Sequence, residues 1–235
     1  MTMTTRRVAL ISGAGRGIGF AIAAELLKAG WAVSVGSRTA PAGLGAVGSE
    51  TLHWSAYDAR DAASETAWVD AAVAYFGRID ALVHNAGILS ETPVIEASEA
   101  EVDDLLQVNV KSPLRITQRA WPHLKNSDRA KVVVLASLSG KRVRAPQSSL
   151  YSLSKAAVLN LTHGIRHCGE ADGIRATAIC PGFVATDMAA KCDEEIMDQL
   201  TRPEDVAVIV RTVLELPNTA SVAEVPINWR VESEY

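Results

Sequence analysis

Cysteine is scarce in this chain: Cys168, Cys180 and Cys192 are the three in 235 residues, with no Cys-x-x-Cys pair among them. An odd number without that spacing argues against both a disulfide framework and a thiolate zinc site. They read as reduced or buried thiols. Basic residues are not in excess either, since 23 Lys and Arg stand against 27 Asp and Glu for a net charge of −4. That balance gives no attraction for nucleic acid or an anionic membrane surface, so the expected partner is a small molecule. The opening stretch Met1-Thr2-Met3-Thr4-Thr5-Arg6-Arg7-Val8-Ala9-Leu10-Ile11 has too short an apolar run for a secretory signal or membrane anchor, and the expectation is a cytoplasmic protein. His163 and His167 have the i, i+4 spacing of a helical metal pair, but Gly164 stands where a zinc hydrolase needs its glutamate, so no metal is expected. Internal repeats, low-complexity tracts and interdomain linkers are absent too. With 48% hydrophobic content, residues 1–235 predict a single domain.

What is present is alternation. Short apolar runs at Val8–Ser12, Ala32–Gly36, Leu52–Ala56, Ile79–His84, Lys131–Ser137, Ile174–Ile179 and Val225–Trp229 predict strands. Helical spacing of apolar residues predicts helices at Gly17–Ala29, Ala62–Phe76, Glu99–Leu124, Leu150–His167 and Pro203–Leu214. Such an order requires crossover helices between parallel strands, hence a doubly wound α/β fold with a mostly parallel seven-stranded sheet between two helical layers. The segment Thr39–Glu50, rich in Gly, Ala and Pro, is expected to hold no helix. Catalytic groups on such a sheet gather at the strand C-terminal ends.

Two motifs meet that geometric demand. The first strand runs into Ser12-Gly13-Ala14-Gly15-Arg16-Gly17-Ile18-Gly19 and then directly into a helix, with spacing G-x-x-x-G-x-G rather than the usual G-x-G-x-x-G. Glycines let a turn tighten and let backbone approach a pyrophosphate, whose charge meets free N–H groups and the helix dipole. The second is Tyr151 with Lys155, one helical turn apart and therefore on one face. A free tyrosine titrates near pH ~10, and a fixed cation beside it favours the phenolate, which suits it to carbonyl or alcohol chemistry.

With these motifs stand Asp58, His84-Asn85-Ala86-Gly87, Asn109, Ser137 and Pro181-Gly182-Phe183-Val184-Ala185-Thr186, in that order. In this set and spacing the chain resembles the short-chain dehydrogenase/reductase family over nearly its whole length. The resemblance implies a nicotinamide-dependent oxidoreductase on a Rossmann fold, interconverting a small carbonyl compound and its alcohol. It implies catalytic roles for Asn109, Ser137, Tyr151 and Lys155, with Lys155 also binding the nicotinamide ribose and Asn109 kinking its helix to hold a water linked to Lys155. Ser139 is a rival to Ser137; the family pattern favours Ser137 because its serine stands three residues before a glycine, here Gly140. The implied cofactor-binding set is Ser12, Gly13, Gly15, Arg16, Gly17, Ile18, Gly19, Ser37, Arg38, Asp58, Asn85, Ala86, Gly87, Tyr151, Lys155, Pro181, Gly182, Val184 and Thr186. A homodimer or homotetramer through the helices Glu99–Leu124 and Leu150–His167 also follows from the resemblance alone.

Cofactor preference is read from the end of the second strand, Val35-Gly36-Ser37-Arg38-Thr39, which has no acidic residue to accept from ribose hydroxyls. Arg38 and Arg16 would clamp a phosphate, so NADP(H) is expected in preference to NAD(H). Ser12 and His84 replace the family's usual threonine and asparagine, substitutions that would loosen the adenine side, and Thr177 stands where an asparagine commonly precedes the Pro-Gly turn. Met188–Arg202 has an amphipathic pattern suited to a substrate lid, with an ordinary surface helix as the alternative. Lys141, Arg142 and Arg144 form a basic run suited to an anionic substrate or an acyl carrier, or to a solvated loop. A dinucleotide-sensing protein without turnover is the other functional class; it has no need of Asn109, Ser137, Tyr151 and Lys155 together.

Overall fold

A computed structural model describes residues 6–189 and 194–231; Cys192 and residues 190–193 of the expected lid lie outside them. Seven strands, β1 (Val8–Ser12), β2 (Ala32–Ser37), β3 (Leu52–Ala56), β4 (Ala81–His84), β5 (Lys131–Leu135), β6 (Arg175–Pro181) and β7 (Glu224–Ile227), form one sheet in the order β3-β2-β1-β4-β5-β6-β7. Every pairing between them is parallel, so the expected doubly wound Rossmann-like sheet is present and contains no antiparallel pair of strands. The strand order reverses between β1 and β4, the point at which such sheets open a crevice beyond their C-terminal ends.

Strands buried on both faces explain why the sheet carries helices on both sides. In β5, Val132 and Val134 enter the core shared with α2 (Ala62–Phe76), α4 (Ser112–Leu124) and α5 (Ser149–Gly169), while Val133 and Leu135 enter the core beneath α1 (Gly17–Lys28) and α7 (Pro203–Glu215). The two-residue alternation of a strand produces that division. Each large core side chain, Leu82 or Ile22 for example, contributes about 2–5 kcal/mol against truncation to alanine. Trp68 of α2 sets the height of β2: a Cβ on Gly36 would stand 2.7 Å from its ring, and its indole N–H donates to Ser34 Oγ at 3.0 Å. Only a residue without a side chain lets α2 seat there, directly before the Ser37-Arg38 turn.

The stretch expected as one helix, Glu99–Leu124, is instead α3 (Glu99–Leu106), a π-helical turn at Gln107–Lys111, and α4. Pro113 has no N–H to give the carbonyl of Asn109, so the regular ladder cannot pass that point. Thr39–Glu50 holds no helix, as its composition predicts. A short helix α6 (Glu194–Met197) precedes α7. No helix among the described residues is long and apolar enough to cross a membrane.

Candidate active site

A cavity of 810 Å³ opens at the C-terminal ends of β1, β2, β4, β5 and β6. One wall is the glycine loop. Ser12, almost fully buried, accepts from the backbone N–H groups of Asn85 and Ala86 at 3.1 Å each, and Asn85 Nδ2 donates back to the carbonyls of Ser12 and Gly13 at 3.2 and 3.0 Å. These bonds stitch the ends of β1 and β4 together, and the serine hydroxyl makes two of them. Gly13 has φ +69°, and a Cβ there would meet Ala86 Cα at 2.8 Å, so both its backbone conformation and the close approach require glycine. The ring of His84 packs away against α4, with Nε2 2.8 Å from Thr117 Oγ1, and complete burial pushes its pKa down to about 3, which keeps it neutral.

Whether this wall fits a dinucleotide phosphate is decided by its donors. The N-cap of α1, Arg16, is extended and gives no side-chain hydrogen bond to the helix, and the first turn holds no acidic residue. The free N–H groups of that turn and the positive end of the helix dipole are therefore left for an anion, and Gly15, Gly17 and Ile18 line the cavity there. Arg38 is exposed at the cavity margin beyond Ser37. Arg16 departs from the expected clamp: its Nη1 bonds Asp187 Oδ2 at 2.8 Å, with both side chains about three-quarters exposed (76% and 73%). It spans from the glycine loop to the segment after β6 and does not join Arg38. Asp58 lines the cavity while its Oδ1 accepts from the Arg60 backbone N–H at 2.9 Å, and Ser37 Oγ is engaged by Thr39 O and Trp54 Nε1 at 2.7 and 3.1 Å.

The opposite wall brings Ser137, Tyr151 and Lys155 together. Ser137 follows β5, its Oγ accepting from Ser139 N at 3.0 Å and donating to Pro181 O at 3.3 Å. The Tyr151 phenol, on the first turn of α5, hydrogen-bonds Ser137, yet burial pushes it up to about 12 against that bond. The helical spacing of the two residues predicts that Lys155 lowers it. Instead Lys155 is buried, its Nζ donates to Leu135 O at 2.7 Å and lies 5.7 Å from the Tyr151 ring centre, and desolvation brings its own pKa down to about 8. With the ammonium turned onto a carbonyl, burial dominates at the phenol, which is held as a proton donor.

Asn109 sits inside the π-helical turn, buried, where its Oδ1 accepts from Ile88 N at 2.9 Å and its Nδ2 donates to Ile88 O and Ser154 Oγ, both at 3.0 Å. Ser154 Oγ in turn donates to Tyr151 O at 2.8 Å. Asn109 thus reaches the α5 backbone rather than Lys155 directly. Between Asn109 and Lys155 lies Gly87, where a Cβ would stand 3.2 Å from Asn109 Oδ1 and 3.7 Å from Lys155 Nζ. The missing side chain leaves a gap bounded by both polar groups. Pro181, Gly182, Val184 and Thr186 line the same cavity beyond β6.

A family model described as short chain dehydrogenase matches residues 7–196 of the chain. The chain belongs to that family. Agropine synthesis reductase of Rhizobium rhizogenes is 39% identical over 231 residues, which are 96% of this chain and 53% of that protein. The chain thus spans about half the length of that relative. The 3-oxoacyl-(acyl-carrier-protein) reductase of Staphylococcus aureus is 31% identical over 204 residues, covering 84% of this chain and 82% of that protein. Among solved structures, the alcohol dehydrogenase of the archaeon Thermococcus sibiricus, complexed with 5-hydroxy-NADP, superposes with a TM-score of 0.86 at 26% identity, covering 98% and 100% of the two chains. A short chain dehydrogenase from Burkholderia cenocepacia in complex with NADP has a TM-score of 0.85 at 28% identity, covering 95% and 96%.

Membership of the short chain dehydrogenase family and the uncapped α1 terminus, with its free N–H groups, agree in pointing to this cavity as the functional site. Glu91, Asp187 and Asn228 also line it, and the sequence offers no pointer to them. Asn228 Nδ2 is buried with no partner among the described residues. No motif marks it, because its place depends on how β7 docks beside β6. Among the described residues no group of three His, Cys, Asp or Glu could hold a metal ion.

Proposed function

We propose that the protein reduces a small carbonyl compound, or oxidises the corresponding alcohol, with NADP(H) in preference to NAD(H). One observation carries the reading: the Ser137 hydroxyl, Tyr151 phenol and Lys155 ammonium converge on one wall of the cavity whose other wall is the uncapped α1 terminus. The nicotinamide supplies or accepts the hydride when bound. Backbone N–H groups of Gly15, Gly17 and Ile18 would hold the pyrophosphate, Arg38 the 2′-phosphate, Asp58 the adenine amino group and Lys155 the ribose. Gly87, Pro181, Gly182, Val184 and Thr186 would border the nicotinamide. Two of the solved relatives carry NADP or its 5-hydroxy form, which supports the same preference.

In the reductive direction Ser137 and Tyr151 donate hydrogen bonds to the substrate oxygen. Tyr151, held protonated by burial, gives its proton to that oxygen as the carbon is reduced, and takes one back in oxidation. The phenolate left behind is stabilised by Ser137 and by the Lys155 ammonium close to its ring. A water in the gap at Gly87 would connect Lys155 to Asn109 and return the proton from solvent. The whole chain would act as one catalytic unit, with the segment 188–202 as a substrate lid and subunits pairing through Glu99–Leu124 and Leu150–His167.

The test is NADPH consumption by purified protein over ketones, aldehydes, quinones and oxoacyl thioesters, with Tyr151→Phe beside the wild type. Turnover should fall by about 100-fold or more while NADPH binding stays nearly unchanged, because only the transferable proton is removed. Undiminished turnover in Tyr151→Phe ends the assignment. Tight NADPH binding with no turnover on any substrate favours a dinucleotide sensor.

A further inference from the structure

We propose that Glu224 is a positioning residue for the reaction: together with Lys141 and His163 it braces the turn that carries Ser137 against α5, the helix that carries Tyr151. The proposal deepens the oxidoreductase reading and rests on it. Its basis is a cluster of three titratable side chains contributed by three separate elements. Glu224 opens β7, the edge strand, Lys141 follows the turn after β5, and His163 lies on α5. Lys141 Nζ donates to Glu224 Oε2, and His163 Nε2 stands 2.8 Å from Glu224 Oε1, so each oxygen of one carboxylate takes one partner. None of the three side chains lines the cavity. All are between 22% and 29% exposed, where water and salt screen the pairs less than on an open surface. Lys141 first and His163 with it hold the Glu224 carboxyl below the usual carboxylate range, so it stays charged at neutral pH.

Strand alternation explains why Glu224 faces α5. Val225 and Ile227 pack against the core beneath α1 and α7, which leaves Glu224 on the opposite face of β7, where His163 meets it. In the sheet Glu224 is in register with Ala178 of β6, three residues before Pro181, whose carbonyl accepts from Ser137 Oγ.

Lys141 connects this cluster to the reacting groups. It stands one residue beyond the short 3-10 turn Leu138–Gly140, and that turn fixes Ser137. Ser137 Oγ accepts from Ser139 N, Ser137 O from Gly140 N and Leu138 O from Lys141 N, each at 3.0 Å. On its inner side the turn rests on α5 at Lys155, where a Cβ on Gly140 would stand 2.6 Å from the lysine carbonyl oxygen. On its outer side the chain runs into an open stretch, with Val143 60% exposed. The turn is therefore pressed against α5 at Lys155 and tied to it through Glu224 about two helical turns further on, at His163. Releasing the tie frees the end of the turn and with it the direction of the Ser137 hydroxyl, which bonds the Tyr151 phenol. A misplacement of about 1 Å at such a group can cost roughly 100-fold in rate.

The experiment measures NADPH-dependent reduction of the carbonyl compound that the wild type uses best, with Glu224→Gln, Lys141→Met and Lys141→Arg, each made also in a Ser137→Ala background. Glu224→Gln and Lys141→Met should lower kcat by about 10-fold and change KM for NADPH by less than about 2-fold. Lys141→Arg keeps the cation and should retain most of the rate. In the Ser137→Ala background the same substitutions should cost less than about 2-fold, because the group they position is gone. The same loss in both backgrounds, a KM for NADPH that rises as far as kcat falls, or a wild-type kcat in Glu224→Gln overturns the proposal. Where Glu224→Gln does not fold, Lys141→Met, which leaves His163 with Glu224, decides by the same comparison. Amide hydrogen exchange reads the brace apart from turnover: the N–H groups of Ser139, Gly140 and Lys141 should exchange about 10-fold faster in either variant, with those of α5 unchanged. If no carbonyl compound is reduced, the oxidoreductase reading fails and exchange alone judges the brace. Acceleration confined to the turn then supports it, and unchanged exchange, or equal acceleration through α5, overturns it.

Discussion

Replacing Arg38 with alanine should weaken NADPH binding and leave NADH binding nearly untouched. The guanidinium would meet a 2′-phosphate that only NADPH carries, and a hydrogen bond to a charged group contributes about 1.5–3 kcal/mol. Arg38 is exposed, so solvent and salt hold the value near the lower end, about 1.5–2 kcal/mol, or roughly a 10- to 30-fold loss of affinity. Arg16 is the one glycine-loop cation able to compensate, and it is committed to Asp187 at 2.8 Å. Both partners of that pair are largely exposed, so freeing Arg16 would cost only about 0–1 kcal/mol. Adding Asp187→Asn to Arg38→Ala should therefore recover NADPH affinity by up to about 5-fold. Fluorescence titration of both cofactors into wild type and the two variants measures this. An equal loss of NADPH and NADH in Arg38→Ala, or a wild type that prefers NADH, refutes the reasoning.

Two further perturbations test the walls of the cavity. Because burial holds Lys155 near a pKa of about 8, its ammonium is present below that pH and lost above it; wild-type NADPH affinity should fall as pH rises past about 8. Lys155→Ala should bind more weakly at neutral pH and show no such limb, and titrations across that range that superimpose for the two proteins would remove Lys155 from the cofactor site. Gly13→Ala would force a side chain onto φ +69° and against Ala86 Cα at 2.8 Å. A loss of about 1–3 kcal/mol in urea unfolding, with cofactor binding impaired, is expected; unchanged stability and binding would show that the β1–β4 junction gives way easily.

The sheet was legible because its evidence is repeated along the chain. Seven short apolar runs separated by helical spacing allow little except a doubly wound parallel arrangement, and the elements at Val8–Ser12, Leu52–Ala56 and Ala62–Phe76 have the boundaries their residues predict. The break near Asn109 was half legible: Pro113 forbids a regular ladder, but the form taken by the break, a π-helical turn, depends on Ile88 and Ser154 capturing the Asn109 amide from other elements. Many of the candidate site residues follow a strand end, and Tyr151 and Lys155 lie one helical turn apart, which made their positions readable; Asn109, inside a helical segment, has neither signal.

Local pattern and residue chemistry by themselves determined that this chain forms an α/β sheet with a glycine loop after β1, a tyrosine and lysine on one face of α5, and no acidic residue after β2. Tertiary structure alone decided which way the charges turn. Arg16 finds Asp187 from 171 residues away, Lys141 is drawn out of the cavity by Glu224, Lys155 turns onto Leu135, and Asn228 arrives at the cavity only because β7 pairs with β6. The physical reason is range: periodicity and turn chemistry act over a few residues, whereas burial and ion pairing depend on neighbours that the crossover connections bring together.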